Sequence, residues 1–171
     1  MLREHEVRGG IRGVSPAGLH TPRVMTRETL PDGSLRLSEG GCTHTYTRLR
    51  PGVMLVSIAG YDRGQLHPAA FEPIEAELSD RQPLALLFNV SRAEGATRSV
   101  SDAWTEWFRT RRPQLREVHI LVASKYLDLI VNVAKHFSRT GELIQVYSDA
   151  SRFESTAARL VPGLKRLPAS E

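Results

Sequence analysis

The chain has 171 residues, enough for one substantial core and short for two, so a single domain is expected. Hydrophobic residues make up 40% and charged residues 25%, which excludes a wholly disordered chain, and no apolar run approaches the roughly 20 residues of a membrane span. The net charge is only +4 and is spread along the chain, so nucleic acid is not an expected partner despite a sequence pI of about 9.6.

The N-terminus MLREHEVRGG has no apolar stretch after its charges, and the sequence therefore predicts a cytoplasmic protein. Residues 1–22 carry Gly9, Gly10, Gly13, Pro16, Gly18 and Pro22 with no helical or strand period, and read as a flexible arm. From Val24 the pattern VMTRETL, Pro31-Asp32-Gly33, SLRLSE predicts a hairpin extension over 23–42. Cys42, the single cysteine, cannot form an internal disulfide and lacks a second thiol for a structural zinc site; it reads as a small, partly buried residue before a strand.

Thr43–Leu49 and Val53–Ala59 (VMLVSIA) form a predicted antiparallel pair around the turn Arg50-Pro51-Gly52. His67-Pro68 opens a first helix with an apolar stripe at Phe71, Ile74 and Leu78, shortened by Pro73. Leu84–Val90 is apolar except for Asn89, as a strand covered on both faces should be, and is read as the central strand. A polar loop, Ser91–Ser99, is expected to follow, and then a helix on which Val100, Trp104, Trp107 and Phe108 share a side and Pro113 ends the run. Ser99 and Ser101 stand at its start, where the ordinary reading is a helix cap.

Val118–Ala123 is a second buried-type strand; Ser124 to Arg139 reads as a helix with Leu127, Ile130, Val131, Ala134 and Phe137 inward and Gly141 beyond its end. Leu143–Tyr147 is a further strand, Ser148 or Asp149 caps a last helix over Ala150–Val161, and 164–171 reads as a loose tail. Alternation of this kind predicts an α/β fold: a single-domain mixed, mainly parallel β-sheet with alternating helices over 43–163.

The order of elements over Thr43–Val161, with VMLVSIAG opening the sheet, LLFNVS at its centre, the W-x-x-W helix, VHILVAS and a terminal D-x-x-x-F helix, resembles the STAS/SpoIIAA-like domain family. The resemblance implies a bacterial regulatory or protein-interaction module without catalytic activity or cofactor. In its phosphorylated members a strand ends in Asp and a Ser or Thr starts the next helix. Here Asn89 stands where the acidic residue would be, and Ser99 and Ser101 match the hydroxyl by position, as phospho-acceptors or as caps.

An enzyme finds no support in motif spacing. The histidines (His5, His20, His44, His67, His119, His136) never fall at i, i+4, and nucleophile-elbow, phosphate-loop and dinucleotide fingerprints are absent, so no metal or catalytic set is expected, although distant residues could still converge. His119, inside an apolar strand, reads as a satisfied core residue. A small apolar ligand walled by Trp104, Trp107 and Phe108 is an alternative function. A protein partner is the favoured one, docking on the loop Ser91–Ser99 and on a surface of Trp104, Trp107, Arg109, Arg111 and Arg112 that combines apolar anchors with cations. Self-association into a homo-oligomer remains open at this stage.

Overall fold

The computed structural model describes residues 24–78, 82–123 and 143–168. One mixed sheet of seven strands runs β1 (Thr26–Thr29), β2 (Leu35–Glu39), β3 (Cys42–Arg50), β4 (Val53–Asp62), β5 (Leu84–Ala96), β6 (Leu115–Val122) and β7 (Ile144–Tyr147), in that spatial order. The first four strands form an antiparallel meander, and β4 to β7 pair in parallel. The architecture is therefore α/β on one mixed sheet, parallel from β4 onward rather than mainly parallel throughout, and Leu84–Val90 lies between β4 and β6 as expected.

Sequence chemistry explains the turns. Leu30 and Ser34 close the β1–β2 hairpin around Pro31-Asp32-Gly33, where Gly33 takes φ +83° and Asp32 accepts the Ser34 amide at 2.9 Å. Between β2 and β3 the chain reverses on Gly40-Gly41, with φ of +58° and +84°, the pair of positive values that a two-residue hairpin of matching twist needs.

Two apolar layers cover the sheet. On one face Met54, Val56, Leu84, Leu86, Phe88, Val118 and Ile120 pack with Ile74 of α1 (Glu72–Glu75) and Trp107 and Phe108 of α2 (Arg98–Arg111). On the other, Val53, Leu55, Ala85, Leu87 and Leu121 meet Phe153, Ala157 and Leu160 of α3 (Ala150–Leu160). Burial on both faces accounts for the unbroken apolar run of β5.

Several expectations are corrected. The residues read as a loop after the central strand are strand: β5 continues to Ala96, with Arg92, Ala93, Gly95 and Ala96 paired to β4, so only Thr97 separates strand from helix. The first helix is a single turn at Glu72–Glu75, with Pro73 at its start, preceded by turns from Gln65. Leu164 and Leu167 pack on the α3 layer, so the beginning of the segment read as a loose tail is seated on the core. The arm 1–22, the helix Ser124–Arg139 and Gly141 lie outside the described residues.

α3 starts on Asp149, whose carboxylate accepts the amides of Ser151 and Arg152. A polar group ties this helix to β6: Glu117 accepts from Arg159 at 2.8 Å and lies 2.9 Å from His119, whose other ring nitrogen meets the Tyr147 hydroxyl at 3.0 Å. Burial pushes the Glu117 carboxyl up, but the bonds from Arg159 and His119 outweigh it and hold it at about 2, below the ordinary 4.5. The unfolded chain thus binds the proton first. Stability from this group is complete above pH 4.5 and is lost as pH falls toward 2. Urea unfolding of Glu117→Gln should show a shallower loss of stability than wild type across that window, and equal slopes would contradict it.

Candidate functional site

The antiparallel extension brings together side chains that stand far apart in sequence. Cys42, His44 and Tyr46 alternate along β3 and so point to one face, that of α1 and α2. Asp62 ends β4 beside them. Cys42, His44 and Asp62 are all buried, and their donor atoms lie within 4.8 Å of one another.

The hairpin tip sets this approach. A Cβ on Gly60 would lie 1.9 Å from the Gly41 carbonyl oxygen, so β4 passes the tip at a distance only glycine permits, at φ +79°. That contact seats the start of β3 against the end of β4.

Hydrogen bonds then orient the cluster. Tyr46 donates its hydroxyl proton to the Ala70 carbonyl at 2.7 Å, and His44 Nδ1 lies 3.2 Å from the same hydroxyl oxygen. Since the phenol's one proton goes to Ala70, Nδ1 is the donor to Tyr46. His44 Nε2 lies 3.3 Å from Asp62 Oδ2, ion-paired to it when the ring is protonated but off a well-formed hydrogen-bond line. The other Asp62 oxygen accepts the Gly64 amide at 2.8 Å.

Electrostatics follow burial. Burial, with the Asp62 charge added, pushes the Cys42 thiol up to about 12 and raises the Tyr46 phenol as well. Burial would also raise Asp62, but His44, the Gly64 amide and His67 together bring its carboxyl below the usual range. His67, whose Nε2 is buried and unpartnered, is lowered by burial first, opposed by Asp62 and assisted by His44. A nucleophilic Cys–His–Asp triad is not what these atoms make: it needs one imidazole nitrogen on the thiol, whereas here one faces Asp62 and the other meets Tyr46.

Aromatic rings adjoin the cluster. Trp104 lies 6.4 Å from both His44 and His67 and makes edge contacts with Phe71 at 4.7 Å and Phe88 at 5.5 Å. Trp107 stacks on Phe71 at 5.8 Å and donates its indole N–H to Glu75.

The residues expected from sequence fall into separate groups. Trp107 is 7% exposed and Trp104 half-buried, so the aromatic anchors placed on an exposed helix face belong to the core layer. Arg109 and Arg111 are ion-paired to Glu106 and Glu75, and Arg112 is half-buried in the 3-10 turn that follows α2. Neither serine caps α2. The N-cap is Thr97 because β5 runs on to Ala96; Ser99, exposed, shares a hydrogen bond with Thr97 Oγ1, and the half-buried Ser101 bonds back to the Thr97 carbonyl. Cys42–His44–Asp62 was not foreseen, and its only sequence trace is the C-x-H alternation on a strand.

At the end of the sheet where α2 begins, Tyr61 is 38% exposed. Arg63 lies over its ring at 5.2 Å, and the ring packs on Gly95, where a Cβ would come within 2.9 Å of it. The Thr97 amide donates to the Asp62 carbonyl at 2.9 Å, joining this rim to the first turn of α2.

No helix among the described residues is long and apolar enough to cross a membrane. No protein-family model matches the sequence, and no curated protein does. Among the solved structures similar to it are two of full domain length. One, an anti-sigma factor antagonist from Mycobacterium paratuberculosis, is 17% identical with a TM-score of 0.49, covering 77% of this chain and 99% of that one. The other, an uncharacterized protein with a SpoIIAA-like fold from Shewanella loihica PV-4, is 14% identical with a TM-score of 0.47, covering 84% of this chain and 98% of that one.

Proposed function

We propose that the chain is a non-enzymatic protein-interaction module of bacterial regulation, of the STAS/SpoIIAA-like kind, and that its partner docks on the rim at the C-terminal ends of β4 and β5. The observation that carries this is Tyr61, an arginine-covered aromatic left partly exposed on rigid strand. Tyrosine and arginine are the residue types that dominate binding energy at interfaces, and a ring held in place loses little freedom on docking. The outer face of α2 adds exposed charges of both signs, with Arg98 paired to Asp102 and Arg109 to Glu106. Ser99, exposed in the first turn of that helix, is the hydroxyl on which phosphate would be favoured by the helix dipole.

Affinity capture with the full chain, followed by quantitative mass spectrometry and a binding titration of the captured protein, tests the reading. Tyr61→Ala should leave melting within a few degrees of wild type and weaken binding about 30-fold, the size of a hot-spot loss near 2 kcal/mol. Arg63→Glu should act in the same direction. Undiminished binding by both variants would remove the rim from the interface.

A further inference from the structure

We propose that Cys42, His44 and Asp62 form a zinc site that fastens the antiparallel extension to the main sheet. His44 Nε2 sits 3.3 Å from an Asp62 carboxylate oxygen without a well-formed hydrogen bond, and the Cys42 thiol lies within 4.8 Å of both, all three side chains being shut from water. Buried polar atoms are seldom left unsatisfied, and a cation held between these donors satisfies all of them at once.

The spacing suits the ion. Nitrogen and oxygen donors held about 2.0–2.2 Å from a tetrahedral zinc lie about 3.3–3.6 Å apart, and Nε2 and Oδ2 are at 3.3 Å. Cys42 adds a thiolate from the same face of β3, and one thiolate, one imidazole and one carboxylate favour zinc over magnesium or calcium, which select oxygen. Outer partners are in place for each of two ligands: the chain His44 to Tyr46 to Ala70 fixes the imidazole tautomer, and the Gly64 amide holds the second Asp62 oxygen. His67, whose Nε2 is buried and unpartnered, carries a further imidazole that feels the Asp62 and His44 charges, although its nitrogens fall outside the close group of three. Binding expels the Cys42 thiol proton to solvent, and the thiolate, imidazole and carboxylate then share the dication. Because the donors are enclosed, the site is structural, binding an ion as β3 and β4 close on each other.

Full-length protein stripped with chelator and titrated with zinc chloride should take up one equivalent per chain and melt at a higher temperature. Cobalt(II) in its place should show a thiolate-to-cobalt charge-transfer band. Cys42→Ser should abolish that band and the stoichiometric zinc uptake, while Tyr46→Phe, which keeps all three donors, should retain the band and weaken zinc binding about 10- to 100-fold. Absence of stoichiometric zinc binding to the wild-type chain would overturn the assignment, as would a cobalt complex without the thiolate band. Unchanged affinity in Cys42→Ser would do the same. If that variant does not fold, the wild-type cobalt spectrum and Tyr46→Phe still decide.

Discussion

Trp107→Ala should destabilise the chain by about 3–5 kcal/mol in urea unfolding, the usual cost of removing a buried aromatic. The indole is 7% exposed, stacks on Phe71, meets Phe108 edge-on at 5.3 Å and donates its N–H to Glu75. Truncation therefore leaves a cavity between α1 and α2 and removes one of the two donors on that Glu75 oxygen, Arg111 being the other. Arg111→Glu, a change at a partly exposed ion pair, should cost under about 1 kcal/mol before any repulsion from Glu75 is added. A Trp107→Ala loss of similar size to that would mean the indole is not packed as described.

Gly60→Ala carries the second large effect. Its backbone sits at φ +79°, which costs a non-glycine residue about 1–3 kcal/mol, and the added methyl would meet a backbone carbonyl at 1.9 Å, a contact no side-chain rotation relieves. Gly33→Ala supplies the control, since Gly33 has a similar φ of +83° but open space around its Cβ position. The excess of the Gly60 loss over the Gly33 loss measures the close approach itself. Equal losses would show that the hairpin tip is free to move away from β4.

How much of this was legible depended on whether a residue's neighbours are local. Leu84–Val90 could be read because it is paired on both sides and covered on both faces, which demands apolar residues at nearly every position. Ser91–Ala96 could not, because β6 stops pairing at Val90 and, among the described residues, the rest of β5 is paired to β4 alone, where polar residues and Gly95 are tolerated. The misplaced helix start followed from that: once the strand reaches Ala96, Thr97 must be the N-cap and Ser99 falls inside the first turn. The first helix is shorter than its apolar stripe predicts, a single turn with Pro73 at its start, because the outer stripe residues, Phe71 and Leu78, are carried by turns on either side. Trp104 and Trp107 have the spacing of a stripe, but which way a stripe faces depends on partners such as Phe71 and Phe88, which arrive from other elements. The Cys42–His44–Asp62 group was hidden for the same reason. Its members converge only through the register of β3 on β4 and through the Gly41–Gly60 contact, neither of which is written in local spacing.

The spatial order of the described strands is the order of the chain, so each strand after β1 finds a sheet partner in the strand immediately before it. During synthesis this means that every described strand after β1 meets, on leaving the ribosome, a partner already made. The β1–β4 meander, closed by short turns, supplies that template from nearby residues at small entropic cost. Assembly can thus proceed vectorially from the antiparallel end, with the slower parallel pairings added one at a time to a growing edge.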